Sequence, residues 1–162
     1  RWSMRQIMYA MQFKGHVAPV STSPSIMKAT TTATSGTITS VVGPEGLQGG
    51  LQPTAGGQAS FESEVTFIGG FESEVTSDGT AGFLESGTIT FGEGGHRLRF
   101  STVGQGYISS SPEPNLKHGC VIWQVEGGEG QFAGAKGLIT SNFTVSDAGE
   151  VIDNHLGVLF VP

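Results

Sequence analysis

Two carboxyl side chains occupy matching places in a six-residue segment that occurs twice. FESEVT spans residues 61–66 and again 71–76. A hairpin of the two copies with a three-residue loop at 68–70 would keep the apolar residues of both on one face. That register sets Glu64 directly opposite Glu74. Inside a cavity such a pair would raise one pKa and could do acid/base chemistry, whereas on a solvated face it would be an acidic surface and nothing more.

Three other polar residues are candidates for catalysis. Arg99 lies in the segment HRLRF and could bind an anionic group, the alternative being an outward arginine above an inward Leu-Phe pair. Asn142 lies in LITSNFTV, and His155 lies in the last predicted strand, where it alternates with Asp153. A histidine can take or give a proton near neutral pH, but a lone strand histidine is more often a surface residue or one with satisfied hydrogen bonds.

Nucleophile, metal and cofactor motifs are weak or missing. Cys120 is the only cysteine and follows His118 by two residues, which fits a buried, inert thiol better than a Cys-His nucleophile. The four histidines form no HxH pattern and there is no CxxC, so no metal site is predicted. The glycine-rich segments GEGGH and GQG join predicted strands rather than open a helix, so no nucleotide cofactor is predicted.

Composition limits the class of protein. The 162 residues include 26 glycines, only 14% are charged, and the net charge is -6. These values exclude a collagen-like repeat, a membrane-spanning helix and a disulfide scaffold. Without a basic stripe, nucleic acid and anionic membranes are not expected as partners. The single cysteine and the lack of a leader pattern favour a cytoplasmic location. Because the chain begins at Arg1, residues 1–10 are expected to be partly extraneous.

Strand patterns dominate the chain, and helix patterns are nearly absent. Residues 18–57 read as loop-rich, because 18–36 are rich in Ser, Thr and Pro and 43–57 are rich in Gly. Close turn signals between the strands predict one domain, 1–162, that is all-β and forms a single antiparallel barrel of about eight strands; a β-sandwich is the alternative. Strands are predicted at 5–17, 37–42, 58–68, 71–77, 82–91, 96–103, 119–126, 137–145 and 150–161, with a short piece at 104–109.

One hairpin resembles that of a known family. Residues 128–137 read GEGQFAGAKG, which is similar to the G-x-G-x-F-x-G-A-x-G hairpin of allene oxide cyclase-like and dirigent-like barrels. In that pattern the glycines permit a tight turn and a bulge, and Phe132 turns back into the end of the barrel. The resemblance implies an eight-stranded barrel, often oligomeric, with a cofactor-free cavity that moulds a flexible, mostly apolar substrate. No catalytic residue is carried over from the family.

The sequence therefore favours a cofactor-free cyclase or isomerase that acts on a small apolar molecule. The alternatives are a lipocalin-like carrier that binds such a molecule without chemistry, and a structural barrel. Residues 155–161 (HLGVLFV) are apolar on both faces, which predicts burial on both sides by a covering segment or by another subunit of a homo-oligomer. The aromatic residues expected to line the cavity are Tyr9, Phe67, Phe100, Tyr107, Trp123 and Phe143.

Overall fold

The computed structural model describes residues 3–21, 23–68 and 80–162. Nine strands and one turn of 3-10 helix (Gly130–Phe132) account for most of this part of the chain. The prediction of an all-β fold is confirmed. The strands are β1 (Arg5–Val20), β2 (Ser23–Gly43), β3 (Gly46–Phe67), β4 (Ala81–Phe91), β5 (Arg97–Thr102), β6 (Gly106–Ser110), β7 (Leu116–Glu129), β8 (Lys136–Ser146) and β9 (Glu150–Val161).

All strand pairs are antiparallel, and eight of the nine strands close into a ring. The order is β3-β2-β1-β9-β8-β7-β5-β4, and β4 pairs again with β3. The short strand β6 pairs with both β4 and β7. Each of these eight strands pairs with a neighbour on both sides, which is the advantage predicted for a barrel, although residues 5–13 of β1 pair with β9 alone. First and last strands meet along most of their length, from Arg5 opposite Val161 to His16 opposite Glu150.

Alternation along each strand separates the two faces of the ring. In β9 every odd-numbered residue from Val151 to Val161 is buried and the even-numbered ones are exposed or partly exposed. The same two-residue period puts Phe61 and Ser63 of β3 inside and Glu62 and Glu64 outside. Large inward side chains fill the middle and one end of the ring, namely Phe13, Phe61, Ile89, Leu98, Phe100, Trp123, Phe132, Ile139, Leu159 and Val161.

The prediction that residues 18–57 are loop-rich is wrong. Strands β2 and β3 run through this region and pair with each other from Ile26 opposite Thr66 to Gly43 opposite Gly46, with one register shift next to Gly36. Threonine-rich 30–39 suits a pleated strand because β-branched side chains favour it. The glycines of residues 43–57 suggest a loop, but they lie in a long hairpin whose turn is formed by residues 44–45.

The hairpin predicted from the repeated segment does not form as expected. Strand β3 pairs with β4, so Phe67 lies opposite Phe83 instead of Phe71. The second copy of the repeat, including Glu74, lies outside the described residues. Both cross-strand partners of Glu64 are described, and they are Lys28 on β2 and Ser86 on β4.

The GEGQFAGAKG segment forms the turn between β7 and β8. Phe132 is buried and its ring centroid lies 5.4 Å from that of Phe91, so the aromatic side chain closes this end of the ring as predicted. Gly130 and Gly134 have φ values of 62° and 76°, a backbone conformation that residues other than glycine rarely adopt. Within the described residues, no helix has the length and apolar character needed to span a membrane.

Candidate functional site

A cavity of about 870 Å³ occupies the end of the ring opposite Phe132. Its walls are mostly apolar, and its volume is within the range of small-molecule sites. Ionisable side chains line the cavity at two depths. Lys117 and Asp147 lie in the outer part, where β7 begins and β8 ends, and Glu85 and Asp153 lie in the inner part. The apolar wall includes Val17, Met27, Ala29, Phe61, Val65, Phe67, Phe83, Ile108, Phe143 and Val145.

Glu85 is the first of the two inner carboxyl groups. It belongs to the inward row of β4, between the buried residues Phe83 and Ile89. Its backbone is fixed by Thr102, whose hydroxyl accepts a hydrogen bond from the Glu85 N–H at 2.7 Å and donates one to the Glu85 carbonyl at 2.8 Å. The hydroxyl of Ser63 donates to Oε2 of the carboxyl at 2.5 Å.

The pKa of Glu85 is raised to about 8. Loss of hydration on burial is the main cause, since it penalises the charged form. The hydrogen bond from Ser63 and the indole N–H of Trp123 act in the opposite direction, and the charge of Asp153 adds to the increase. Trp123 Nε1 makes no well-formed hydrogen bond among the described residues, so the Ser63 hydroxyl is the donor that holds this carboxyl. Glu85 therefore carries its proton at neutral pH and can donate a hydrogen bond into the cavity.

Asp153 is the second inner carboxyl group and is held on both sides. The hydroxyl of Ser141 donates to Oδ1 at 2.6 Å, and Nε2 of His155 lies 2.9 Å from Oδ2. Each carboxylate oxygen can accept a second hydrogen bond, so Asp153 keeps acceptor capacity towards the cavity that it lines. As the Nε2–H tautomer, His155 donates to Oδ2, so this imidazole and the Ser141 hydroxyl together fix the orientation of the carboxyl.

Behind Asp153, His155 is packed among aromatic rings. It stacks on Phe13 at a centroid distance of 4.2 Å and meets Trp123 edge-on at 5.1 Å. Its Nδ1 lies 3.3 Å from the hydroxyl of Tyr9. Burial, with a smaller contribution from the charge of Asp153, raises the pKa of Tyr9 well above its ordinary value, so this hydroxyl stays neutral. The Tyr9, His155, Asp153 and Ser141 side chains form one hydrogen-bonded row from the core to the cavity.

The predicted catalytic residues that the structure describes, all except Glu74, fall into two groups. His155 is at the site, in contact with the carboxylate that lines the cavity. The other described residues, Glu64, Arg99 and Asn142, are exposed on the outer face of the ring. Each directly follows a buried, inward-facing residue, and side chains alternate between the two faces of a strand. Arg99 makes a 3.4 Å hydrogen bond from Nη2 to the backbone oxygen of Glu126. It is therefore the outward-facing arginine of the alternative interpretation, not a residue that binds an anion in the cavity.

The predicted aromatic lining is divided in the same way. Phe67 and Phe143 line the cavity. Phe100 and Trp123 are buried in the core beyond the inner carboxyl groups, with ring centroids 4.4 Å apart and planes tilted by 34°, and Tyr9 contacts His155. Tyr107 is exposed and borders a shallow outer depression of about 320 Å³ that also includes Cys120. Cys120 is exposed, so the prediction of a buried thiol is wrong.

Sequence reasoning missed Glu85, Asp153, Ser63 and Ser141 as site residues. A signal was present for Glu85, because FLESGTITF alternates and places this acid on the same face as Phe83 and Ile89. A carboxyl in the apolar row of a strand is unusual and marks a candidate site. The two serines had no such signal, since their role depends on which strands become neighbours.

The inner end of the cavity thus combines a protonated carboxyl with a second carboxyl that has two hydrogen-bond donors. One can stabilise negative charge on an oxygen, and the other can accept a proton. Among residues 3–21, 23–68 and 80–162, no three His, Cys, Asp or Glu side chains gather closely enough to hold a metal ion. In comparisons with known proteins, no family model, no curated protein and no solved structure matches this chain. The resemblance to allene oxide cyclase-like barrels therefore stays a prediction based on residues 128–137.

Proposed function

We propose that this protein is an isomerase or cyclase that converts a small, mostly apolar molecule with the chain's own carboxyl groups. The observation that carries the proposal is Glu85, a buried carboxyl with a pKa of about 8 at the inner end of an apolar cavity that also contains Asp153. Two carboxyl groups in different environments are a recurrent means of supplying an acid and a base at one pH.

The chemistry can be written for a substrate with a carbonyl group next to an acidic C–H bond. Asp153 takes the proton from carbon, and the electron pair moves onto the carbonyl oxygen to form an enolate. The Glu85 O–H donates a hydrogen bond to that oxygen, which stabilises the negative charge as it develops. Asp153 then returns the proton to a different carbon, so the substrate is rearranged and the enzyme is unchanged. For a ring closure, the apolar walls would hold the two reacting carbons close together.

A double-bond shift in an apolar β,γ-unsaturated ketone tests this assignment, because it needs both groups and produces a conjugated ketone with a new ultraviolet absorption. Glu85→Gln keeps the shape of the side chain but removes the acidic proton, and Asp153→Asn removes the base. We expect each variant to lower the turnover rate about 10²- to 10⁴-fold. Glu64→Gln is the matched control, since this carboxyl is on the outer face and its loss should leave the rate unchanged.

Wild-type protein that leaves the ketone unchanged while binding it would contradict the catalytic proposal in favour of the second candidate. That candidate is a carrier of an apolar molecule, and the extent of the aliphatic and aromatic wall favours it. Native mass spectrometry of the protein as purified, followed by identification of any released molecule, separates the two. A carrier returns its ligand unchanged after incubation, whereas an enzyme does not.

A further inference from the structure

The long hairpin of β2 and β3 extends beyond the ring as a two-stranded arm, residues 36–53. Strand β1 pairs with β2 no further than Thr32, and β4 pairs with β3 only from Ala59 onwards. Within the arm the two strands pair solely with each other, up to Gly43 opposite Gly46. A side chain added at Gly43 or Gly50 would meet no described atom within 4 Å, so no described part of this chain covers the arm there.

One face of the arm is apolar and the other is polar. Ile38 lies opposite Leu51 and Val42 lies opposite Leu47, so these four side chains share a face. Val42 is 83% exposed and Leu47 is 74% exposed. The opposite face carries Thr37, Thr39, Val41, Gln48 and Gln52. An isolated two-stranded hairpin is marginally stable in water, so an amphipathic arm of this length favours a partner for its apolar face.

A second unpartnered apolar surface lies on the outer face of the ring. We define the outer patch as Met8, Ile122, Leu138, Leu156, Val158 and Phe160. Met8, Val158 and Leu138 lie side by side across β1, β9 and β8, and Leu156 lies in the adjacent row with Ile122 nearby on β7. Met8 is 68% exposed, Leu156 is 55% exposed and Leu138 is 53% exposed. The even-numbered residues of β9 are the reason why HLGVLFV is apolar on both faces.

We propose that the arm of one copy of this chain packs against the outer patch of a second copy, and the reverse, to form a symmetric dimer. Both surfaces are nearly uncharged. The one charged residue of the arm is Glu45, at its tip, and the exposed side chain of Lys136 borders the patch opposite Phe160. The opposite signs favour this pairing over two arms meeting tip to tip.

The area also fits. A fully exposed large apolar side chain presents on the order of 100 Å² of apolar surface. With the exposures above, two arms on two patches bury on the order of 1,000 Å², which is the size from which specific interfaces begin. A reciprocal exchange closes the assembly at two copies, so it does not extend into a filament.

Light scattering coupled to size-exclusion chromatography, over a protein range of roughly 1 to 100 μM, tests the dimer. We expect twice the chain mass of 16.8 kDa for the wild type. Val42→Glu on the apolar face of the arm and Leu138→Glu in the patch should each give the single-chain mass. Val41→Glu, on the polar face of the arm, and Leu84→Glu, on the outer face of β4, are matched controls that should stay dimeric. A monomeric wild type, or a dimeric Val42→Glu variant, would overturn the proposal.

Cross-linking keeps the test decisive if a glutamate variant does not fold. In a Cys120→Ser background, one preparation carries Val42→Cys and another carries Leu138→Cys, and the two are mixed and oxidised. A disulfide that joins the two different chains supports the contact between arm and patch. Disulfides confined to Val42→Cys chains would show arms meeting each other and would overturn it.

Discussion

At the scale of single residues, the site depends on the different surroundings of its two carboxyl groups, Glu85 and Asp153. Among the described residues, the carboxyl of Glu85 accepts one hydrogen bond, from Ser63. Burial outweighs this hydrogen bond and keeps Glu85 protonated at neutral pH. Asp153 is held by Ser141 and, as the Nε2–H tautomer, by His155. The acid and base roles proposed for Glu85 and Asp153 rest on this difference in surroundings.

The raised pKa of Glu85 also predicts how stability depends on pH. In the unfolded chain this carboxyl loses its proton near its ordinary pKa of 4.5, but in the folded protein it keeps the proton until about pH 8. Between these values unfolding releases a proton, so the free energy of unfolding falls as the pH rises, by on the order of 5 kcal/mol in total. Below pH 4.5 the contribution of Glu85 to stability is fully present.

Urea unfolding at a series of pH values measures this directly. Glu85→Gln has no proton to lose, so its free energy of unfolding should vary less than that of the wild type between pH 4.5 and 8. The difference between the two curves isolates Glu85 from other titrating groups. Parallel curves for the two proteins would mean that Glu85 titrates normally in the folded state.

At the scale of elements, the sequence predicted the later strands well. β4, β5, β7, β8 and β9 alternate regularly, and the first four of them are followed by turns that contain glycine, so period and turn chemistry agree. Residues 18–57 were predicted poorly because proline and glycine are local signals, and the pairing of β2 with β3 over 17 residue pairs outweighs them. The predicted partner of β3 was also wrong, since a local repeat cannot show that the later strand β4 completes the ring.

The site was predictable to the extent that it depends on alternation within one strand. His155 shares a face of β9 with Asp153, so the alternation predicts the histidine's place beside this carboxyl, but Asp153 itself was not predicted as a site residue. The contact between Ser141 and Asp153 and that between Ser63 and Glu85 each join two strands, so they depend on register. A register cannot be read from a single strand.

A close approach between β1 and β9 supports the row of polar side chains. A Cβ atom added at Gly157 would lie 2.2 Å from Cε2 of Tyr9. Gly157→Ala would therefore displace the Tyr9 ring and its hydroxyl from His155, and we expect a loss of about 1–3 kcal/mol in the free energy of unfolding. Gly43→Ala, where no described atom lies within 4 Å, should change stability by less than about 0.5 kcal/mol. Thermal or urea unfolding compares the two; equal stabilities would contradict the packing described.

At the scale of the whole molecule, closure of the sheet produces two different ends. Phe132 and its neighbours fill one end, and the other end holds the cavity. An entering molecule meets Lys117 and Asp147 first, then an apolar wall, and the two carboxyl groups last. The arm leaves the ring at the filled end, so assembly through the arm leaves the mouth of the cavity open.

Filling the cavity should prevent binding without disturbing the outer surface. Ala29 lines the cavity on β2, and its neighbour Thr30 is exposed. Ala29→Phe should weaken the binding of an apolar fluorescent dye at least about tenfold, an order of magnitude that corresponds to about 1.4 kcal/mol. Thr30→Phe adds the same ring on the outer face and should leave dye binding unchanged. Equal dye affinity in the two variants would place the dye outside the cavity.

The most direct test of the central claim is a carbon-13 NMR titration of the side-chain carboxyl of Glu85, assigned by comparison with Glu85→Gln. We expect this carboxyl to titrate with a midpoint near pH 8. A Glu85 midpoint near its ordinary value of 4.5 would show that the carboxyl is charged at neutral pH. The inner end of the cavity would then have no acid, and the proposed chemistry would fail.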